Sequence, residues 1–255
     1  MVEVALGFVI AATIGLTGVG GGVLTVPILI LFLNVPAGRA VGTALAFSAL
    51  VKLPACFVYV RQKQIDYRVF RAMLLGGVPG VVLGSLLLSH LEDGGLRNLV
   101  LVLVGLTIAA IAVLNLVRLL NGPEDQRPTQ PERLRFLPIF TFLIGLEVGF
   151  SSAGAGALGT LVLFGFTRLP AAAIVGTDLL FGLALSTLGG GIHLGLGAWD
   201  PGLFGKLILG GVPGALLGAR LATVLPTRLL RGALLVWLTY LGSELLRRGI
   251  SAVLR

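Results

Sequence analysis

Charge is scarce in this chain. Only 12% of its 255 residues are Asp, Glu, Lys or Arg, about half of the roughly 25% usual in soluble domains. A soluble domain of this size needs a polar skin, and these residues cannot make one. A water-soluble enzyme is therefore excluded. Cysteine occurs once, at Cys56, so neither an intramolecular disulfide nor a paired-cysteine metal site can form. In its apolar run Cys56 reads as a small core hydrophobe. Histidine occurs twice, as His90 and His193. Far apart and without cysteine partners, they make no metal site. Neither a nucleophile elbow nor a zincin motif is present. No glycine-rich phosphate loop or dinucleotide fingerprint occurs either. No enzymatic chemistry, metal or cofactor is expected.

A basic stripe is also missing. The net charge of +8 and the isoelectric point near 10.8 suggest nucleic acid at first sight. The Lys and Arg residues sit in short connectors, however, and not along one polar face. That distribution fits the positive-inside rule and excludes a nucleic-acid partner.

What is present is apolar sequence. Hydrophobic residues make up 56% of the chain and the mean hydropathy is +1.02. Such a surface faces lipid. Spanning segments of about 20 residues are expected near 38–60, 70–90, 96–118, 171–194, 203–224 and 229–247. Two further apolar stretches, 4–33 and 137–167, are longer and broken by glycine. The N-terminus lacks a basic region and a small-residue cleavage signature, so it reads as the first membrane segment. Residues 121–135 hold Pro123, Glu124, Asp125, Pro128 and Pro131 and read as an exposed cytoplasmic linker.

The two sides of the linker repeat each other. A shift of 134 places Gly15, Gly20, Gly22 and Leu24 on Gly149, Gly154, Gly156 and Leu158. The same shift carries Pro36, Ala37, Gly42 and Thr43 onto Pro170, Ala171, Gly176 and Thr177, and Asp66 onto Asp200. Gly76-Gly77-Val78-Pro79-Gly80 recurs as Gly210-Gly211-Val212-Pro213-Gly214. Fixed Gly, Pro and Asp at one offset mark a duplication. The expected organisation is a first transmembrane repeat over 1–120, the linker over 121–135 and a second repeat over 136–255.

The expected fold class is all-α: a polytopic transmembrane bundle of two homologous repeats with about eight hydrophobic segments. Arg61, Lys63, Arg68 and Arg71 crowd one connector; Arg118, Arg127, Arg133 and Arg135 flank the linker. Both clusters should face the cytoplasm. If each broken stretch spans once, the repeats are parallel. If each is a re-entrant hairpin, they are inverted. Lys/Arg counts do not separate the two. Each break divides its stretch into arms of about 11 to 13 residues, roughly half a bilayer long. That favours the hairpin and inverted repeats.

The order of these motifs resembles the TauE/SafE family of sulfite and organic-anion exporters. The resemblance rests on Gly18-Val19-Gly20-Gly21-Gly22, then Pro27, then Ala40-Val41-Gly42-Thr43-Ala44-Leu45. Ile65-Asp66-Tyr67 and the Gly-Gly-Val-Pro-Gly helix with Gly84 follow, and weaker copies fill the second half. It covers nearly the whole chain and implies export of small anions driven by ion gradients. Two features depart from the family's pattern. The second break reads Ser151-Ser152-Ala153-Gly154-Ala155-Gly156, with fewer glycines. Tyr59 stands where the family often has histidine, which His193 keeps in the second half.

Candidate site residues follow from the chemistry of anions in membranes. A glycine break exposes backbone N–H groups at a helix N-terminus, an anion site without a charged side chain. The candidates are Thr17, Gly18, Gly20, Gly21 and Gly22 in the first break and Ser151, Ser152, Gly154 and Gly156 in the second. The competing reading is close helix packing. Thr43 and Thr177 either bind substrate or satisfy a helix terminus. Lys52 lies deep in an apolar helix, where an ammonium marks function unless it snorkels to the interface. Asp178, Glu147 and His193 are candidates for the coupling ion, proton or sodium. Isolated carboxyls in apolar stretches suit proton binding and release, and a histidine suits a relay. The plainer readings are a helix-end acid for Asp178 and an interfacial hydrogen bond for His193. Lys52 and Asp178 are also placed to neutralise each other.

Gly76, Gly80, Gly84 and their copies Gly210, Gly214 and Gly218 read as packing faces, which also permit a homodimer. Pro79 and Pro213 are expected to kink their helices. The leading expectation is a secondary transporter exporting a small anion such as sulfite or a sulfonate. A passive anion channel, a non-transporting membrane scaffold and an intramembrane enzyme are the alternatives. The compact chain suits a prokaryotic inner membrane.

Overall fold

A computed structural model describes residues 1–17, 21–93, 97–121, 134–153, 158–221 and 227–253. The described residues are almost entirely helical, and no strand occurs among them. Ten α-helices follow in order: α1 Val2–Thr17, α2 Gly21–Leu33, α3 Ala37–Arg61, α4 Tyr67–Asp93, α5 Arg97–Asn121, α6 Leu137–Ser151, α7 Leu158–Phe166, α8 Ala171–Gly195, α9 Pro201–Leu221 and α10 Thr227–Val253. A 3-10 turn, Leu134–Phe136, leads into α6. In hydrocarbon every backbone N–H and C=O must find its partner inside the segment, which is why the apolar runs are helical.

Among the described residues, five helices are long and apolar enough to cross a membrane: Ala37–Arg61, Tyr67–Leu91, Leu134–Ser151, Ala172–Gly195 and Pro201–Gly218. Of the arms flanking the glycine breaks, α1, α2 and α7 are shorter, whereas Leu134–Ser151 is long enough to span where a half-length arm was expected. Pro27, Pro54, Pro79 and Pro213 all lie inside helices that continue past them.

Glycine sets which helices touch. A Cβ at Gly76, Gly80 or Gly84 of α4 would run into the carbonyls of Pro138, Phe142 and Leu146 of α6. A Cβ at Gly210, Gly214 or Gly218 of α9 would likewise meet the carbonyls of Val4, Phe8 and Ala12 of α1. So α4 runs alongside and parallel to α6, and α9 alongside and parallel to α1. Small residues let the backbones close to this distance, and packing at close range holds helices together in lipid. The opposite flanks carry Leu75 at 73% exposure and Leu209 at 70%. Those side chains meet hydrocarbon.

α3 and α8 cross the centre antiparallel. Gly42 sits against the Ala198 carbonyl, Gly190 against Ala46 and Gly176 against the Gln64 carbonyl. Next to them, the backbone N–H of Asp200 donates to Thr43 Oγ1 at 3.2 Å, and that of Asp66 donates to Thr177 Oγ1 at 2.9 Å. Both threonines thus tie the start of one helix to the end of another. The two aspartates cap the helices that follow. Asp66 Oδ1 accepts the N–H groups of Arg68 and Val69, each at 2.9 Å, and Asp200 Oδ1 accepts that of Leu203 at 2.9 Å.

The turns after α3 and α8 are alike. Gln64 N–H bonds to the Tyr59 carbonyl and Lys63 N–H to that of Val60; Ala198 N–H and Gly197 N–H bond in the same way to His193 and Leu194. This pattern needs a left-handed residue just past the helix end. Gly197 takes φ +69 there, whereas Lys63 takes φ +55. A Cβ in that region costs about 1 kcal/mol. Lys63→Gly should therefore stabilise the protein by about 0.5–1 kcal/mol, read as a raised midpoint of thermal unfolding in detergent. A lowered midpoint would show that the lysine side chain outweighs the strain.

Candidate functional site

The two broken stretches meet in the interior. α1 ends at Thr17 and α2 begins at Gly21; α6 ends at Ser151 and α7 begins at Leu158. Gly18, Gly20, Gly154 and Gly156 lie outside the described residues, as does the Thr17 side chain. The flanks that are described touch one another. A Cβ at Gly22 would run into the carbonyl and hydroxyl of Ser152, and one at Gly21 would come within 2.9 Å of Ser48 Oγ. The first turn of α2 is thus enclosed by α3 on one side and by the end of α6 on the other.

Ser152 closes α6 in a left-handed conformation, φ +64, with its N–H on the Val148 carbonyl at 2.8 Å. Ser151 Oγ donates to Glu147 Oε1 one turn back and accepts the Ala153 N–H at 3.2 Å.

Lys52 is 6% exposed and does not snorkel. Its ammonium donates across the α3–α8 crossing, to Ser186 Oγ at 3.1 Å and to the Gly182 carbonyl at 3.4 Å. Ser186 and Gly182 are the residues that a shift of 134 aligns with Lys52 and Ser48. Asp178 is 2% exposed. It does not pair directly with Lys52 among the described contacts. Instead its carboxylate turns to the start of α7. It accepts the backbone N–H of Thr160, and Oδ1 lies against Gly159. Asp178 is a helix-end acid, but for α7 and not for its own helix.

His193 is fully buried, with Nε2 at 3.3 Å from the Gly149 carbonyl of α6. This distance fits an N–H on Nε2, donated to that carbonyl. Thr43 and Thr177 serve the crossing turns described above. Of the residues expected from sequence, the structure brings together Gly21, Gly22 and Ser152 at one point. Ser151 and Glu147 lie one turn behind Ser152. Lys52, Asp178 and His193 stand on the surrounding α3 and α8.

Several buried polar atoms here carry no hydrogen-bond partner: Ser48 Oγ, Ser85 Oγ, Ser152 Oγ, Asp178 Oδ1 and His193 Nδ1. Most buried polar groups are satisfied, so a cluster of exceptions marks a place where something polar is handled. Ser48 and Ser85 were not among the sequence candidates. Ser48 was legible: it precedes Lys52 by one helical turn on the same face of α3. Ser85 carried no such signal. Among the described residues no group of three or more His, Cys, Asp or Glu side chains could hold a metal ion.

The geometry is that of a membrane bundle with buried polar groups gathered at two helix breaks. The family model described as sulfite exporter TauE/SafE matches residues 4–245. The chain belongs to the TauE/SafE family. Among similar curated proteins, the probable membrane transporter protein YjnA of Bacillus subtilis (strain 168) is 30% identical over 230 residues, covering 86% of this chain and 89% of the relative. A second from the same organism, the probable membrane transporter protein YdhB, is 25% identical over 239 residues, covering 92% and 95%. A probable membrane transporter protein of Xylella fastidiosa (strain 9a5c) is 29% identical over 109 residues, 43% of this chain and 41% of the relative. No solved structure matches the chain. This TauE/SafE member is a multi-pass integral membrane protein and a membrane transporter, not an enzyme.

Proposed function

We propose that this TauE/SafE member is a secondary transporter that exports a small anion, such as sulfite, a sulfonate or another organic anion, coupled to an ion gradient by alternating access. The observation that carries the reading is the meeting of the two breaks, Gly21–Gly22 against Ser152, with Lys52 buried on the adjoining helix. Broken helices at a repeat interface are where secondary transporters hold substrate, and helix N-termini there face anionic groups. The substrate site comprises the break residues Thr17, Gly18, Gly20–Gly22, Ser151, Ser152, Gly154 and Gly156, with Lys52 as counter-charge and Thr43 and Thr177 at its margins. Asp178, Glu147 and His193 are the groups for proton or sodium coupling.

The halves are read as inverted repeats. Helix directions support this. α6 runs parallel to α4, and α4 runs parallel to α8, since Gly77 meets Phe181 while Val81 and Ser85 meet Gly189. So α6 and α8 point the same way, and the intervening α7 returns, as a re-entrant hairpin requires. Helices at equivalent positions, α3 and α8, are antiparallel, as a two-fold axis in the membrane plane demands. The glycine and threonine contacts that recur at one offset support it further.

Reconstituted proteoliposomes test transport. Labelled sulfite should accumulate against its own gradient when a proton, sodium or electrical gradient is imposed, and should stop when that gradient is collapsed. Flux that is only downhill, whatever gradient is imposed, would replace the transporter with a passive anion channel. No flux of any small anion would leave a membrane scaffold.

A further inference from the structure

The two halves do not offer equal anion sites. In the second half, the first described turn of α7 is already met by a carboxylate. Asp178 accepts the Thr160 N–H, and its Oδ1 fills the space over Gly159. The residue that a shift of 134 places opposite Asp178 is Ala44, which has no polar group. In the first half, the corresponding turn of α2 meets no acid among the described residues. Ser48 Oγ lies against Gly21, and the carbonyl and hydroxyl of Ser152 lie against Gly22. Both serines are buried, at 2% and 4% exposure, and neither hydroxyl has a hydrogen-bond partner.

Apart from the Ser152 carbonyl, the polar groups of that cradle are donors. The first N–H groups of a 13-residue helix have no partner within it. A serine hydroxyl rotates to donate wherever an acceptor stands. The macrodipole adds a partial positive charge at the same end. Lys52 stands one turn beyond Ser48 on the same face of α3, near enough to add a full charge but engaged with Ser186 and Gly182. The donors outnumber the one acceptor beside them, the Ser152 carbonyl, and that balance suits a small oxyanion.

Resting on the anion-transport reading above, we propose that the transported oxyanion is bound one-sidedly, by the first turn of α2 together with Ser48 and Ser152. Asp178 acts as a built-in carboxylate that occupies the matching place on α7. The chain therefore binds one anion and not two, despite its two breaks. The asymmetry also sets the charges in the core. One helix start faces the substrate's negative charge, the other faces the protein's own, and Lys52 lies on the helix pair between them.

Equilibrium binding of radiolabelled sulfite to the full-length protein in lipid nanodiscs tests this. Wild type should bind one sulfite per chain. Ser48→Ala and Ser152→Ala should each weaken binding roughly tenfold or more, the usual loss for a hydrogen bond to a charged group. Ser251→Ala removes an exposed hydroxyl far from the cradle, bonded to the Arg248 carbonyl, and should bind like wild type. Asp178→Ala gives the second half the first half's residue at this position and, with Gly182 where Ser48 stands, should admit a second sulfite bound more weakly than the first. Thermal unfolding of each variant separates misfolding from lost binding. Two anions per wild-type chain would overturn the proposal. So would Ser48 and Ser152 variants that are folded and bind normally, or an Asp178→Ala count that stays at one. In those cases gradient-driven sulfite flux by wild type would still uphold the transport reading. Absence of both binding and flux in wild type would remove that reading and this site together.

Discussion

Gly80→Leu protein should scarcely assemble, and Gly214→Leu should fail in the same way. The Cα of Gly80 lies so close to α6 that even a methyl group would strike the Phe142 carbonyl, with the Leu146 N–H 2.8 Å away. Gly214 stands in the same relation to the Phe8 carbonyl of α1. Both obstacles are backbone, so no side chain can swing aside, and the helices must separate along their length. Overpacking in a dense core usually costs about 1–3 kcal/mol. Here two neighbouring glycines on each helix would lose their contacts as well, so the loss should exceed about 4 kcal/mol, the range reserved for gross packing failure. The yield of monodisperse protein in size-exclusion chromatography reads this directly. Leu83→Ala, on the half-exposed outer flank of α4, should behave nearly as wild type. A Gly80→Leu protein with normal yield and normal unfolding would show that α4 and α6 are not held at this distance.

The second large effect concerns Lys52. Lys52→Met should lower sulfite affinity by at least tenfold and reduce transport in proportion. The ammonium is buried and sits one turn from Ser48, about 6 Å along the helix. A unit charge at that range, in surroundings of effective dielectric near 20, is worth about 2–3 kcal/mol to an anion. Methionine keeps the length and the apolar stem, so packing changes little. Its removal also leaves Asp178 without an opposing charge in the core, and a lone buried charge is costly. The single variant should therefore be less stable as well. Lys52→Met combined with Asp178→Asn should recover stability and not affinity. Ser186→Ala removes one of the ammonium's hydrogen bonds and should cost only about 1 kcal/mol. Wild-type affinity in a folded Lys52→Met protein would reject the counter-charge role.

Much of this was legible before any coordinates. The glycine runs at 15–22 and 149–156 placed the helix breaks, because only glycine or a polar bend interrupts so apolar a stretch at matching positions. The two Asp residues at 66 and 200 announced helix starts, and the structure uses both as caps. The spaced glycines of α4 and α9 read as packing faces and are packing faces. Thr43 and Thr177 were ambiguous by sequence, since a hydroxyl near a helix start serves substrate or backbone equally. Their contacts are with Asp200 and Asp66, the capping residues before α9 and α4, 157 and 111 residues away in the chain. No local pattern encodes such a contact.

The partners of the charged residues were likewise hidden. Sequence placed Lys52 and Asp178 inside apolar helices and allowed them to pair. The antiparallel crossing of α3 and α8 sends Lys52 to Ser186, while Asp178, two turns earlier in α8, turns to α7. The spacing of Ser48 and Lys52 put both on one face of α3, but only the structure set Ser48 against Gly21.

Sequence by itself determined that the chain lies in a membrane, that it is helical, where its long helices stop and which faces carry glycine. These follow from composition and spacing, and lipid permits few alternatives to a helix. Tertiary structure decided which helix each glycine face meets and which way neighbouring helices run. It also decided that one break is lined by hydroxyls and the other by a carboxylate. Those outcomes depend on contacts between residues more than a hundred positions apart, and such contacts are set by how close two backbones can come, which no single segment specifies.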